Sequence, residues 1–262
     1  MDPALRAAAT GMMAQQTRTE VIANNLANVN TTAFKRSRAH FVDLLYQQVQ
    51  GASMVAGAES NTVPAIQVGR GTRLAGVQRN QTQGALEATD RPLDLAIEGE
   101  GFFQVQLPNG QLAYTRDGTF QLSESGTLVT QEGLTVSPGI RIPRDASSVI
   151  VSRSGIVSVL QAKGSAPTEV GRLELARFAN PSGMLSMGEN LYSATPASGD
   201  AITGFAEDDG MGRLLQGQLE TSNVEIVQEM VDMISAQRAY EINSKAIKNS
   251  EQLSEIASGL IR

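Results

Sequence analysis

Very few residues of this sequence could support nucleophilic or metal chemistry. Its 262 residues include one histidine, His40, and contain no cysteine and no tryptophan. These counts exclude a thiol nucleophile, a disulfide framework, a Cys/His zinc site and any catalytic triad that does not use His40. No pattern of acidic or nucleophilic residues marks His40 as a base, so we interpret it as a surface or half-buried structural histidine.

The carboxylates offer the next candidate chemistry, because Asp90, Asp94, Glu98 and Glu100 alternate along a predicted strand. Two facing carboxylates could in principle serve as the acid and base of a glycosidase. The plainer interpretation places these charges on the exposed face of the strand. The acidic run at 207–209 could bind calcium, but it lacks the alternating ligand spacing of a calcium loop.

Glycine pairs occur at three places where a phosphate-binding loop could form. Gly69–Gly71, Gly99–Gly101 and Gly210–Gly212 each lack the third glycine of the dinucleotide fingerprint. The nucleophile elbow Gly-x-Ser-x-Gly does not occur in the sequence. We therefore interpret these residues as turn glycines, and we predict no catalytic residue, no cofactor and no metal site.

The charge balance and the hydropathy limit the possible partners. The chain has 21 lysine and arginine residues against 27 aspartate and glutamate residues, a formal charge of -6. Since nonspecific nucleic-acid binding needs a surplus of basic contacts, no nucleic-acid partner is expected. No stretch approaches the ~20 apolar residues of a transmembrane span. Residues 1–10 lack the apolar core of a secretory signal, so any export is expected to proceed without a cleaved signal peptide.

An apolar residue pattern predicts a helix at the N-terminal end. Leu5, Met12, Thr19 and Leu26 recur every seven residues. The pattern predicts an N-terminal core helix over 1–30. An ordinary amphipathic helix on a globular core remains an open interpretation of the pattern alone.

A second apolar stripe follows residues 222–262 and includes Val227, Val231 and Ile234. Its helical spacing predicts a C-terminal core helix, and the two end helices predict a coiled-coil-like association. Polar residues such as Gln237 and Arg238 fall on or beside the stripe. They favour packing against several neighbouring helices at once over a coiled coil made of these two helices alone.

Short alternating segments fill the middle of the chain. Turn dipeptides such as Asn109-Gly110 and Ser125-Gly126 separate them at hairpin spacing. These features predict a central antiparallel β domain over 86–205 and an α+β fold. Residues 31–85 are then a connecting region, and residues 206–221 a return connector.

Within the connecting region, residues 47–69 show no clear hydrophobic period. The segment contains Gly51, Gly57 and Pro64 among many alanine, serine and asparagine residues. Composition alone is typical of a flexible linker.

Two long apolar stripes on one chain would expose a sizeable patch unless the helices pair with each other or with copies of the chain. A heterologous contact that does not close generates a helical filament. The pattern therefore suggests a subunit of a tube, and a self-contained coiled coil without a filament remains the alternative.

Four segments closely resemble the signatures of bacterial flagellar rod and hook proteins. Residues 23–36, with the sequence Ala-Asn-Asn-Leu-Ala-Asn-Val-Asn-Thr-Thr-Ala-Phe-Lys-Arg, resemble the N-terminal signature, and residues 220–245 the C-terminal one. Residues 99–103 and 114–120 extend the resemblance over nearly the whole chain. The length and the segment 43–46, Asp-Leu-Leu-Tyr, are most similar to subunits of the distal rod.

The resemblance implies an architecture and a set of partners. The terminal helices would form the core of a hollow rod of the flagellar basal body, which spans the periplasm and transmits torque from motor to hook. Subunits would be exported unfolded by the flagellar type III apparatus and assembled with a rod cap. Copies of the chain, proximal rod and hook subunits and the ring bushing around the rod would be its partners. Residues 47–69 would match an insertion that fills gaps between neighbours and stiffens the distal rod.

On this basis we predict an assembly interface made of residues from both ends of the chain. Its apolar members would bury their side chains on assembly, and its polar members would satisfy groups of neighbouring subunits. The predicted residues are Leu5, Met12, Ile22, Asn24, Asn25, Leu26, Asn28, Val29, Phe34, Val227, Val231, Ile234, Gln237, Arg238 and Tyr240.

Two rival functions remain open. Within the family, the chain could be a hook or a proximal rod subunit, although hook proteins usually have a larger middle region and lack an insertion like 47–69. Outside it, the chain could be a secreted carbohydrate-active enzyme that uses Asp94 and Glu98.

One residue departs from the family's pattern. Ala33 stands before Phe34-Lys35-Arg36, where the family usually has glycine. If this position requires a positive φ, alanine there costs about 1 kcal/mol or shifts the local turn.

Overall fold

A computed structural model describes residues 3–50, 53–54, 62–63, 65–161, 166–208 and 210–259. The chain divides into two compact units. The helical unit comprises residues 1–27, 37–79 and 225–262, and the β unit comprises residues 28–36 and 80–224. The fold is α+β, with a long helix near each end and antiparallel sheets between them.

The helical unit contains two long helices and a narrow ribbon of paired strands. At ~1.5 Å per residue, its 25-residue and 34-residue helices are long enough to contact one another over many turns. The elements are α1 (Pro3–Ala27), β1 (Ser37–Asp43), β2 (Gln47–Gln50), β3 (Ser53–Met54), β4 (Thr62–Val63), β5 (Ile66–Val68), β6 (Thr72–Arg79) and α2 (Ile226–Gly259).

The ribbon is built from nested antiparallel pairs: β1 with β6, β2 with β5, and β3 with β4. Most of the described part of 47–69 is therefore paired strand, although the sequence there shows no alternation. Each pair has only two strands, so neither face has to be apolar, and the period-2 signal of a half-buried sheet is absent.

The β unit is built from short strands in several antiparallel sheets. They are β7 (Leu86–Ala88), β8 (Leu95–Glu98), β9 (Phe102–Gln106), β10 (Leu112–Thr115), β11 (Gln121–Leu122), β12 (Leu128–Val129), β13 (Thr135–Val136), β14 (Ser148–Val151), β15 (Ile156–Leu160), β16 (Thr168–Arg172), β17 (Glu174–Arg177), β18 (Leu185–Gly188), β19 (Leu191–Ser193), β20 (Ile202–Phe205), β21 (Arg213–Gln216) and β22 (Gln218–Glu220). The largest sheet follows the order β11-β12-β13-β9-β10-β19-β18, with β17 joining β9 to β20.

The central strand β9 is buried on both of its faces. Phe103 packs edge-on against Phe120, with ring centroids 5.0 Å apart, in the main core of the unit. Phe102 points into a second cluster, where its ring lies 5.9 Å from that of Phe178. A strand buried on both faces can carry apolar residues on both of them, and the adjacent residues Phe102 and Phe103 show this. Two clusters built on one strand explain how a chain with few aromatic residues forms a dense core.

The segment 206–221 contains two strands that pair with the start of the β unit. β21 pairs with β8, and β22 pairs with β7. The chain thus re-enters the sheet system before α2 begins at Ile226. In the described part of the chain, neither helix has the length and hydropathy needed to cross a membrane.

Candidate assembly surface

The apolar stripe of α2 faces outward. Val227 is 70% exposed, Val231 54% and Ile234 51%. The predicted polar interface residues Gln237 and Arg238 are exposed as well. Tyr240, at 44% exposure, is the remaining predicted residue of α2. We call Val227, Met230, Val231 and Ile234 the α2 stripe.

The opposite side of α2 faces α1 and is made of polar and small residues. Arg18 Nη2 lies 3.0 Å from Asp232 Oδ1, and Ala236 is fully buried. A Cβ atom added at Gly11 would lie 3.0 Å from the Asn243 side-chain nitrogen. The two helices therefore pack through an ion pair and close approach, which leaves the α2 stripe uncovered by α1.

Asn25 joins α1 to both of its neighbours in the helical unit. Its Nδ2 donates to the carbonyl oxygen of Ser37 at 2.9 Å and to Glu229 Oε2 at 3.1 Å. Its Oδ1 accepts a hydrogen bond from the backbone N–H of Ser37 at 2.9 Å. Asn25 is buried, so a residue that we predicted to serve neighbouring subunits is satisfied inside its own chain.

The other predicted residues at the N-terminal end are divided between interior and surface. Ile22 is buried and Asn24 is exposed. Half-buried positions are occupied by Leu5, Met12, Leu26, Asn28, Val29 and Phe34.

The ribbon of the helical unit exposes further apolar side chains. Leu45 is 87% exposed, and Tyr46, Val49 and Ile66 are each more than half exposed. Isolated two-stranded ribbons are marginally stable in water. Exposed apolar side chains on such a ribbon favour packing against a surface outside the helical unit.

The β unit holds a buried cluster of charges that the sequence reasoning did not select. The ammonium group of Lys35 pairs with the carboxylate of Glu220 and donates to the carbonyl oxygen of Thr82 at 2.8 Å. Arg116 Nη1 lies 3.5 Å from Glu220 Oε2, and its Nη2 donates to the carbonyl oxygen of Gly99 at 2.8 Å. Burial lowers the pKa of Lys35, and the charge of Glu220 opposes that shift.

Each member of this cluster lies in a different one of the resembling segments. Lys35 lies in the N-terminal signature, Arg116 lies in 114–120, and Glu220 opens the C-terminal signature. Lysine and arginine are almost never fully buried unless they are paired. Opposite charges placed in three of the segments that resemble the rod signatures were therefore the sequence signal that could have identified the cluster.

Ala33 adopts the conformation that the glycine pattern indicates. Its φ is +56°, it is buried, and its N–H donates to the carbonyl oxygen of Glu220 at 2.8 Å. A non-glycine residue in this region carries a steric penalty between Cβ and the backbone. The positive φ on which the expected strain of Ala33 depends is therefore confirmed.

The carboxylates considered for catalysis are engaged elsewhere. Asp94 is only 1% exposed, and its Oδ2 accepts a hydrogen bond from Thr89 Oγ1 at 2.7 Å. Its expected position on an exposed strand face was wrong, because the segment before β8 turns it inward. Glu98 forms a two-point pair with Arg213 at 2.6 and 3.0 Å, and this hydrogen bonding lowers the pKa of Glu98. A glycosidase general acid needs a raised pKa.

No group of three or more His, Cys, Asp or Glu side chains in the described residues is arranged to hold a metal ion. His40, in β1, is exposed.

Comparison with protein families gives three matches along the chain. Residues 5–35 match the family described as flagella basal body rod protein. Residues 96–159 match the flagellar hook protein FlgE/F/G D1 domain, and residues 215–260 match the flagellar basal body rod FlgEFG protein C-terminal domain. The N-terminal and C-terminal matches include most of α1 and the whole of α2.

Comparison with individual proteins gives relatives that match over their full length. The flagellar basal-body rod protein FlgG of Buchnera aphidicola subsp. Acyrthosiphon pisum is 47% identical over 260 residues, which are 99% of this chain and 100% of the relative. FlgG of Caulobacter vibrioides is 46% identical over 98% of both chains. The FlgF rod protein of the same bacterium is 36% identical over 98% of this chain and 97% of its own. Within one organism, the similarity is thus higher to FlgG than to FlgF.

Proposed function

This chain belongs to the flagellar basal-body rod protein family, and on that premise we propose that it polymerises into the rigid, hollow helical tube of the distal rod. It is a structural subunit of the flagellar rod and not an enzyme. The higher identity to FlgG than to FlgF supports the distal rod over a proximal rod subunit. The tube would transmit torque from the motor to the hook.

The observation that carries the proposal is the exposed α2 stripe. Burying one large aliphatic side chain contributes ~1.5–3 kcal/mol, and each subunit presents four such residues in one row. Copies of the chain whose helices cover these rows would gain this energy only on assembly. Because α1 already occupies the polar side of α2, the stripe is available for neighbouring copies.

A coiled-coil-like core is the finer part of this proposal. In the polymer, α1 and α2 would pack as a pair, and the α2 stripe of each pair would contact the helices of adjacent subunits. Polar positions such as Gln237 and Arg238 would set the register between them. The boundaries that we predicted, with core helices at 1–30 and 222–262, belong to this proposal as well.

The ribbon is the second packing element. Its exposed side chains, with Val49 at 66% and Ile66 at 51%, would fill gaps between neighbouring subunits and so oppose bending of the tube. This role corresponds to the insertion at 47–69, of which the structure describes only part.

The remaining partners follow from the proposed location. The tube would span the periplasm within the basal body, join proximal rod subunits at one end and hook subunits at the other, and turn inside the ring bushing. Export through the flagellar type III apparatus and addition under a rod cap would place the subunits there without a cleaved signal peptide.

Aspartate substitutions test the proposal. Ile234→Asp or Leu26→Asp should abolish polymerisation and motility, because a buried unpaired carboxylate is strongly unfavourable, while the β unit keeps its thermal transition. Gln252→Glu is the matched control, since it adds the same charge to an exposed position of α2 outside the stripe. Motile cells that assemble the Ile234→Asp chain would contradict the proposal.

A further inference from the structure

A groove lies on the helical unit where α1 meets the ribbon. One wall is the start of α1, and the other is formed by the connections from β1 to β2 and from β5 to β6. The groove has a volume of about 470 Å³ and can therefore admit side chains of another molecule. Its lining residues are Arg6, Ala9, Thr10, Leu44, Leu45 and Arg70. Because Leu45 is 87% exposed, the groove has an uncovered apolar wall.

The two walls of the groove are fastened to each other at Thr10. Its Oγ1 accepts a hydrogen bond from the backbone N–H of Thr72 at 3.2 Å and donates to the carbonyl oxygen of Ala7 at 2.9 Å. A Cβ atom added at Gly71 would lie 2.1 Å from Thr10 Oγ1, so the backbone of the ribbon touches α1 there. The backbone N–H of Leu44 donates to the carbonyl oxygen of Gly71 at 2.9 Å. The groove is thus formed in advance, and its occupant binds walls that are already ordered.

The α2 helix of the same chain packs on a different face of α1. Gly11 lies so close to Asn243 that an added Cβ atom would be 3.0 Å from the side-chain nitrogen. At ~100° per residue, Arg6 and Ala9 are turned away from Gly11 by ~140° and ~160° around the helix. The groove therefore opens away from the α2 helix of its own chain.

Two guanidinium groups flank the apolar wall of the groove. Arg6 and Arg70 are exposed, and neither has an acidic partner among the residues that the structure describes. Residues 37–79, which form the ribbon, include four arginines against two acidic residues. An occupant that suits this groove therefore combines apolar side chains with a carboxylate.

The outward face of α2 offers this combination. The α2 stripe is apolar and exposed, with Ile234 at 51%. Glu241 follows Ile234 by seven residues, which places it two turns or ~10.5 Å further along the same face. Glu241 is exposed and has no ion-pair partner within the described part of the chain. Across its length, α2 has five acidic residues against three basic ones, so its net charge is opposite to that of the ribbon.

We propose that the groove of one copy receives the α2 stripe of a second copy, with Ile234 packed against Leu45. Glu241 of the second copy then lies beside Arg6 and Arg70. The inference rests on the proposed function, and it names the surface that covers the α2 stripe in the polymer. Because the groove and the stripe are different surfaces of one chain, each copy can receive one neighbour and dock into another. Such a heterologous contact generates a filament.

The contact is tested by cross-linking within the polymer, because the chain has no cysteine of its own. Copies with Leu45→Cys are mixed with copies with Ile234→Cys, polymerised and treated with a short bismaleimide. Mass spectrometry should find peptides joined between positions 45 and 234. Leu253→Cys is the matched control in place of Ile234→Cys, since it is an exposed residue of the same helix ~28 Å further along. It should not be joined to position 45.

A charge exchange tests the pairing of Glu241 with the arginines. Arg6→Glu and Glu241→Arg should each raise the critical concentration for polymerisation about tenfold, because like charges then face each other. The chain with both changes should return to within about threefold of the wild type, since the pair is restored with the opposite polarity. Arg141→Glu is the matched control and should leave polymerisation unchanged, because it reverses the charge of an exposed arginine of the β unit.

The two experiments separate this inference from the proposed function. A polymer without cross-links between positions 45 and 234 would overturn the inference, as would a double variant that polymerises no better than the single ones. Both results are obtained on a chain that polymerises, so they leave the proposed function intact. That function fails if the Ile234→Asp chain assembles.

Discussion

Phe103 of the β unit is fully buried, whereas Val227 of the helical unit is 70% exposed. Phe102 and Val105 of strand β9 are buried as well, and the other residues of the α2 stripe are exposed as well. The β unit buries two clusters of large apolar side chains and pairs its buried charges internally, although some apolar side chains such as Leu185 are exposed on it. The helical unit puts polar and small residues between its helices and leaves the α2 stripe outside. The difference teaches that the two units bury their large apolar side chains in different ways, and the exposed α2 stripe is what the proposed polymerisation would cover.

The largest effect on this contrast should come from the β-unit core. Phe103→Ala should destabilise the β unit by about 3–5 kcal/mol, because it removes a buried ring and leaves a cavity. Chemical denaturation followed by circular dichroism measures the change. Leu112→Ala, at an exposed position of the neighbouring strand, should change stability by less than about 0.5 kcal/mol. Equal effects of the two variants would break the contrast.

Removing the shared carboxylate of the buried charge cluster should be nearly as costly. Glu220→Gln should lower the unfolding free energy by about 3 kcal/mol, because Lys35 and Arg116 stay buried without their counter-charge. Adding Lys35→Met should recover part of the loss, so the double variant costs less than the sum of the single ones. Strict additivity in denaturant titrations would show that Lys35 and Glu220 act independently.

A smaller gain is expected at Ala33. Ala33→Gly should stabilise the β unit by about 1 kcal/mol, because glycine adopts φ of +56° without a Cβ clash. Ala96→Gly in strand β8 is the control and should destabilise, since its extended backbone gains nothing from glycine. A loss of stability with Ala33→Gly would mean that its methyl packing outweighs the strain.

The smallest effect on the single chain should come from the α2 stripe. Val227→Ser should leave the unfolding free energy of the monomer within about 0.5 kcal/mol of the wild type, because the side chain is already in water. Its cost should emerge in the polymer, as a critical concentration raised about tenfold or more for the ~1.5 kcal/mol or more of burial that is lost. A destabilised monomer that polymerises normally would mean that Val227 stabilises the single chain and does not contact other copies.

Elements with a strong period were predictable from the sequence. The helical spacing of Leu5, Met12 and Val231 predicted a helix near each end of the chain. This spacing is a property of one segment and does not depend on distant residues. Both long helices are present in the structure. The turn dipeptides likewise indicated antiparallel hairpins, such as the one that joins β9 to β10 across Asn109-Gly110.

Features that depend on distant partners were not predictable from one sequence. The ribbon strands at 47–50 and 66–68 lack alternation because only two strands pair there. Asn25 was predicted as an interface residue, and its bonds to the backbone of Ser37 depend on how the chain turns after α1. Lys35 and Glu220 are 185 residues apart, and no local pattern states that they meet.

The contrast between the units is tested most directly by limited proteolysis with mass spectrometry, on the dilute chain and on its polymer. In the dilute chain, cleavage should begin within residues 1–27 and 225–262 and leave a resistant fragment that contains 80–224, because helices with an uncovered apolar face gain most of their stability from packing. In the polymer, the same end segments should resist cleavage. End segments that resist the protease equally well in the dilute chain would contradict the account, because the helical unit would then be complete without its copies.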